Sequence, residues 1–315
     1  GAAMKMPQSK DFVGGIQKGF KAMQHFKSGM GPAQFAVSGI DSVLSQFMNN
    51  VIGLAIALVD MEAGFRRATG ASAGIGRAFA QALAPQCSSM ILVARDAEKL
   101  SRVAESLASV DCEIHCIAVD LCKPLGVAEV MEAIRQKGPV TILINNAGFT
   151  TDNALVDSDL DTELEMLSLH CQASVSLCRG ALPYMQELGR GRVINVASMA
   201  GLIPMKGAAV YGASKAFLVA FSQSLAKENH RHGIAVQCLC PGYTHSDFHG
   251  REALAGFDKR SIPEAYWSSA EDVVAASLAA FSQTPPPILL VPGEHNKQWV
   301  REEQERQRAA LEAMP

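Results

Sequence analysis

No uninterrupted apolar run in the 315 residues approaches the roughly 18 needed to span a bilayer, so no transmembrane helix is expected. No two cysteines stand in a C-x-x-C spacing. The eight, at 87, 112, 116, 122, 171, 178, 238 and 240, are scattered and mostly sit in apolar stretches. That argues against a disulfide framework or a cysteine-built metal site, and for free buried thiols in a reducing cytosol. A large excess of either charge is also missing. The net charge of −3 carries no electrostatic footprint for nucleic acid. Repeats and low-complexity linkers are absent as well. What is present is an apolar fraction of 48%, enough for one large domain with its own core.

Gly1, Ala2 and Ala3 ahead of Met4 look like an expression scar. Residues 4–60 form an unusual extension. Phe12, Ile16, Phe20, Met23 and Phe26 recur at helical spacing, and Lys10, Lys18, Lys21 and Lys27 take the other faces. Two readings stand side by side. One is a basic amphipathic helix lying on an anionic membrane surface or a partner. The other is a loosely packed extension, because Gly14, Gly15 and Gly19 weaken the helix. The run 51–59 is more apolar and reads as a helix end packed on a surface.

From about residue 64, short apolar runs alternate with helical periods, the pattern of βα units around a parallel sheet. Strands are expected at 90–93, 114–119, 140–144, 193–196, 234–240 and 288–291. Helices are expected at 97–110, 127–137, 161–188, 210–231 and 269–281, the longest with a break near Pro183. Ser269 and Asp272 are set as a capping box. The expected class is α/β: one doubly wound Rossmann domain over residues 61–293, its parallel sheet of about seven strands flanked by helices. Residues 1–60 precede it, and a charged helical tail, read as a surface helix, follows at 294–315.

Thr69, Gly70, Ser72, Ala73, Gly74, Ile75 and Gly76 lie just ahead of a helix over residues 77–83. Glycines there permit a tight turn and close backbone approach. The helix N-terminus then offers free N–H groups and its positive dipole end to a pyrophosphate. The strand ahead of them is odd. Residues 65–68 carry Arg66 and Arg67, whereas a central strand is ordinarily a continuous apolar run. Either these residues are a truncated first strand, or residues 54–59 supply it and a long detour follows before Thr69. The detour makes the first reading the preferred one. Farther on, Ala94 stands where an acid would bind a ribose 2′-hydroxyl, and the fork of Arg95 suits a 2′-phosphate. NADP(H) is therefore expected over NAD(H), with Asp96 the competing group for the ribose.

Tyr211 and Lys215 are four apart on an expected helix and so share a face. A free tyrosine ionises near pH 10. A fixed cation beside it stabilises the phenolate and makes a usable acid/base. Ser198 ends an apolar run at 193–197, so a strand there would deliver its hydroxyl to the same cleft.

These pieces together resemble the short-chain dehydrogenase/reductase family over about residues 65–293. The motifs are the 69–76 glycines, Asn145, Asn146, Ala147 and Gly148, then Ser198, Tyr211 with Lys215, and Pro241 with Gly242. The resemblance implies that Tyr211 is the general acid/base and that Lys215 tunes it and holds the nicotinamide ribose. It implies that Ser198 orients the substrate oxygen. Asp120 and Leu121 would meet the adenine, and Asn146, Ala147 and Gly148 would line the cofactor. Pro241, Gly242, Tyr243, Thr244 and Ser246 would border the nicotinamide. The four-residue Tyr/Lys gap resembles that of carbonyl–alcohol enzymes. One departure stands out: His170 occupies a position where the family usually has an asparagine that holds a proton-relay water. Relay and simple packing are both open for it.

The expected activity is NADP(H)-dependent reduction of a ketone or aldehyde, or oxidation of the matching alcohol. The alternative is a cofactor-binding protein without catalysis, acting as a sensor or interaction partner. His245, Phe248, Tyr266, Trp267, Met199 and Met205 suggest a largely apolar substrate. His245 and His249 with Asp247 read as pocket residues, and no metal is expected. The resemblance further implies a homodimer or homotetramer. Localisation is expected to be cytoplasmic, with residues 4–60 the candidate for peripheral membrane contact.

Overall fold

Seven short strands run parallel in one sheet, in the order β3-β2-β1-β4-β5-β6-β9. They are β1 (Leu54–Leu58), β2 (Ser89–Ala94), β3 (Glu113–Ala118), β4 (Val140–Asn145), β5 (Gly191–Val196), β6 (Ile234–Leu239) and β9 (Leu289–Leu290). A second, two-stranded ribbon pairs β7 (Tyr243–His245) with β8 (Trp267–Ser269). The computed structural model describes residues 54–58 as backbone, and residues 74–108, 111–151, 153–245 and 262–314 in full. All of them belong to one compact unit, Asn50–Pro315.

The helices are α1 (Ile75–Leu83), α2 (Ala97–Ser106), α3 (Pro124–Lys137), α4 (Leu160–Leu167), α5 (Ser174–Leu188), α6 (Ala209–Asn229), α7 (Ala270–Ala280) and α8 (Glu294–Glu312). They cover both faces of the sheet. In β2, Met90, Leu92 and Ala94 pack with α1, α2 and α7, while Ile91 and Val93 pack with α3 and α5. The period of two divides the strand between two cores. Burial on both faces is why such strands read as unbroken apolar runs. Phe79, Met90, Leu92, Leu143, Ile144 and Met185 are fully buried.

The first strand corrects the expectation. Leu54–Leu58 takes the central position, paired in parallel with both β2 and β4. Residues 65–68, preferred from the sequence, lie outside the described residues. An apolar five-residue run meets the demand of a strand flanked on both edges and both faces. The sheet thus begins upstream of residue 61, and residues 59–74 run between β1 and α1. Ordinary βα connections take roughly 2–6 residues.

A second correction concerns the long helix. It is continuous through Pro183 and interrupted instead at Ser168–Ala173, one π-helical stretch between α4 and α5. Such insertions shift every following side chain around the axis, and they occur often at functional sites. The tail also differs. α8 is exposed over most of its length, but Asn296 and Val300 near its start are buried. Val300 and Trp299 pack against Met199, Ile203 and Met205. The expected cap holds: Ser269 Oγ accepts the Asp272 N–H at 3.0 Å and bonds its carboxylate at 2.6 Å.

The strand order reverses between β1 and β4, since β2 and β3 lie to one side and β5, β6 and β9 to the other. Open parallel sheets bind ligands outside the carboxyl ends of the strands at this switch point. There the loops after β4, β5 and β6 converge.

Candidate active site

Lys215 sits one turn beyond Tyr211 on α6 and is 4% exposed. Its ammonium donates to the carbonyl of Val196 at 3.0 Å and lies 5.7 Å from the centre of the Tyr211 ring. Val196 is the last residue of β5, two before Ser198. The same lysine thus stands beside the phenol and ties the catalytic helix to the strand that carries the serine.

Ser198 has an extended backbone, and its Oγ accepts the Ala200 N–H at 3.1 Å. With an acceptor site so engaged, the hydroxyl proton is available for a substrate oxygen. The loop behind it is held by Met199, whose N–H donates to the Pro241 carbonyl at 3.0 Å. Gly201 lies directly on α6. A Cβ there would come within 2.6 Å of the Lys215 carbonyl carbon. Sequence reasoning passed over Gly201. A short loop between a strand and a packed helix was the available signal.

A polar ladder lies beneath the site. Asn145 Nδ2 donates to Asn195 Oδ1 at 2.7 Å, and Asn195 Nδ2 donates to Ser222 Oγ at 2.9 Å. The Ser222 hydroxyl donates to the Leu218 carbonyl at 2.7 Å. β4, β5 and α6 are thereby joined by buried hydrogen bonds, which are costly to leave half-made. Asn195 and Ser222 were also missed, because a single asparagine inside an apolar strand has no motif of its own.

His170, in the π-helical stretch, is brought into this group. It is 1% exposed. Its Nε2 accepts the Phe149 N–H at 3.2 Å, and its Nδ1 lies 2.8 Å from Ser214 Oγ. The ring meets Tyr211 edge-on at 5.8 Å. A Cβ on Gly148 would be 2.7 Å from His170 Nε2 and 3.3 Å from Lys215 Nζ, so the loop after β4 runs through the gap between them.

On the cofactor side, Gly74 is the N-cap of α1, with an extended backbone and no side-chain cap. Among the described residues no atom lies within 4 Å of where its Cβ would be, which leaves space against the start of the helix. Ile75 and Gly76 form the first turn. Thr69, Gly70, Ser72 and Ala73 lie outside the described residues. Arg95 follows β2 directly, and its buried Nη2 has no partner among the described residues. Asp96, the competing group, is committed elsewhere: it caps α2 by accepting the Lys99 N–H at 2.9 Å. Asp120 accepts the Cys122 N–H at 2.9 Å just after β3, next to the buried Leu121. Asn146, Ala147 and Gly148 follow β4 and are half-buried.

The Pro241–Gly242 turn leads into Tyr243 and Thr244 of β7. Thr244 Oγ1 donates to the Gly242 carbonyl at 3.2 Å. Asn296 of α8 is wedged against Gly242, at 2.6 Å from where a Cβ would stand. Tyr243 and His245 pack on Trp267, and Tyr266 meets both His295 and Trp299. His245 pairs with Glu264 at 3.1 Å. Ser246, Asp247, Phe248 and His249 lie outside the described residues. Among the described residues no group of three or more metal-ligating side chains assembles, and no helix is long and apolar enough to cross a membrane.

All eight cysteines are free. Burial pushes the thiols of Cys87, Cys122 and Cys178 up to about 12. Cys116 departs from the expected burial, because β3 is a sheet edge and leaves it exposed.

The chain is 35% identical over 210 residues to the 3-oxoacyl-[acyl-carrier-protein] reductase of Bos taurus, covering 66% of this chain and 87% of that one. Its fold is similar to the short-chain dehydrogenase from Sphingobium yanoikuyae in complex with NADPH. The TM-score is 0.68 and the identity 27%, over 84% of this chain and 97% of the other. The bulky-bulky ketone specific alcohol dehydrogenase from Comamonas testosteroni gives a TM-score of 0.64 at 26% identity, over 84% and 95%. Residues 68–254 match the family model described as short chain dehydrogenase, a stretch that starts after β1 and spans the loops after β4, β5 and β6. That match takes in more than half of the chain, and the chain belongs to the short-chain dehydrogenase/reductase family, whose members are nicotinamide-dependent oxidoreductases.

Proposed function

We propose that the chain is an NADP(H)-dependent oxidoreductase that interconverts a ketone or aldehyde with its alcohol. The observation that carries this reading is the anchoring of Lys215 between the Tyr211 ring and the Val196 carbonyl. An ammonium fixed at that place stabilises the phenolate left when Tyr211 gives up its proton. Ser198 directs its hydroxyl proton to the substrate oxygen, and Tyr211 donates the proton that completes the alcohol. In the reverse direction Tyr211 accepts it. Bound NADPH would supply the hydride.

The 2′-phosphate preference rests on Arg95. An unpartnered, buried guanidinium nitrogen directly after β2 is a donor awaiting an anion. Asp96 is spent on its helix cap, which removes the nearest rival for the ribose. The NADPH-bound relative and the open space at Gly74 support the same reading.

Met199, Ile203, Met205 and Trp299 pack into one apolar cluster directly after Ser198, and Tyr266 meets Trp299 edge-on. An apolar neighbourhood there suits a bulky hydrophobic ketone or an acyl chain. The non-catalytic alternative is motivated by the odd first strand and by His170; the apolar strand Leu54–Leu58 answers the first of these, and the turnover test below decides the alternative.

The test is NADPH absorbance over a panel of ketones, aldehydes and 3-oxoacyl thioesters. Turnover is expected, and Tyr211→Phe should lower kcat by about 10²–10⁴-fold with NADPH still bound. Tight NADPH binding without turnover of any panel member would sink the catalytic reading.

A further inference from the structure

The hydrogen bonds of His170 leave its imidazole a single tautomer. The Phe149 N–H is a donor only, so Nε2 must face it with a lone pair. The Ser214 hydroxyl has one proton, and that proton goes to the Tyr211 carbonyl at 2.7 Å. Ser214 Oγ must therefore accept from His170, which places the remaining proton on Nδ1. The ring is neutral, buried, and bonded at both nitrogens. One bond runs to the loop after β4, where Gly148 is pressed between the imidazole and Lys215. The other runs to the first turns of α6, where Ser214 is flanked by Lys215 and bonded to Tyr211.

We propose that His170 is a positioning residue: as the neutral Nδ1–H tautomer it clamps the loop after β4 to the Tyr211–Lys215 helix and so sets the distance between the cofactor side and the acid/base. Proton relay through the ring is disfavoured by the same geometry. A proton on Nε2 would set two N–H donors against each other in a buried space. The groups facing the ring are Tyr211 and Lys215; Cys171 follows in the chain, and Glu163, buried two turns back on the same helix face, accepts the Thr151 hydroxyl. His170 continues the buried face of α4, one turn beyond Met166 and two beyond Glu163, into the π-helical stretch.

The kinetic part rests on the oxidoreductase reading above; the spectroscopic part does not. Long-range ¹⁵N imidazole spectra of the full chain, assigned by difference against His170→Gln, should show a protonated Nδ1 and a bare Nε2 at pH 7. An Nε2–H tautomer or an imidazolium would overturn the inference whether or not turnover is ever found. In kinetics, His170→Ala should lower kcat about tenfold and raise the KM for NADPH by a similar factor, the loss of one to two buried hydrogen bonds. His170→Gln can reach the Phe149 N–H with Oε1 and should bring the NADPH KM back to within about twofold of the parent. His170→Asn can reach only Ser214 and should not. A fall in kcat with the NADPH KM unmoved in all three variants would make His170 a relay. Melting temperatures lowered with both constants unmoved would make it a packing residue. Either result overturns the clamp.

Discussion

The loop after β5 and the start of α1 stand at the same end of the sheet and are held in different ways. From Val196 to Lys215 the chain is held at every step. Lys215 bonds the Val196 carbonyl, Met199 bonds the Pro241 carbonyl, and Gly201 rests on the α6 backbone. α1, by contrast, starts at Gly74 with no side-chain cap. The proposed acid/base geometry is stored in side-chain hydrogen bonds and close backbone contact. The proposed cofactor side depends on a helix end and a few charged groups. Damage should therefore act differently at the two places: catalysis and stability fall together at the first, and cofactor choice moves alone at the second.

Gly201→Ala should have the largest effect. Its Cβ would meet the Lys215 carbonyl carbon, and α6 must shift to admit it. A displacement near 1 Å costs about 100-fold in rate, read as kcat, together with a lower melting temperature. Asn195→Ala comes next. It strips the polar ladder from Asn145 and Ser222 and should cost about 2–4 kcal/mol in chemical denaturation, as two buried groups lose their partner. Arg95→Ala should raise the KM for NADPH about tenfold, the worth of one charge-assisted hydrogen bond, with NADH and the melting temperature unaffected. Equal effects on the two cofactors would erase the contrast between the two places. Smallest is Ser269→Ala, about 1 kcal/mol of stability from a lost helix cap, read in chemical denaturation.

Much of this was legible in the residues. Alternating apolar runs placed six strands of the sheet and most helices. The spacing of Tyr211 and Lys215 put them one turn apart on α6, and Ser198 follows the end of β5 as its apolar run implied. Three features were harder to read, each for a definite reason. Leu54–Leu58 alternates leucine or isoleucine with alanine, and these residues suit a helix as well as a strand. A strand buried on both faces also shows no period of two, so a short apolar run does not declare its type. The π-helical stretch at Ser168–Ala173 leaves no composition signal. α8 is dominated by exposed charge, and the few residues that pack inward, Asn296, Trp299 and Val300, are too sparse to mark a face.

The central place of β1 also has a consequence for assembly during synthesis. Its partner on one side, β2, follows soon after it in the chain; its partner on the other, β4, is not made until residues 140–145. Until then one full edge of the future central strand has nothing to pair with. An unpaired edge of that kind recruits whatever strand comes near, including one from a neighbouring nascent chain. Slowing translation before β4 should therefore raise the aggregated fraction more than the same delay after β6, whose free side receives only the two-residue β9.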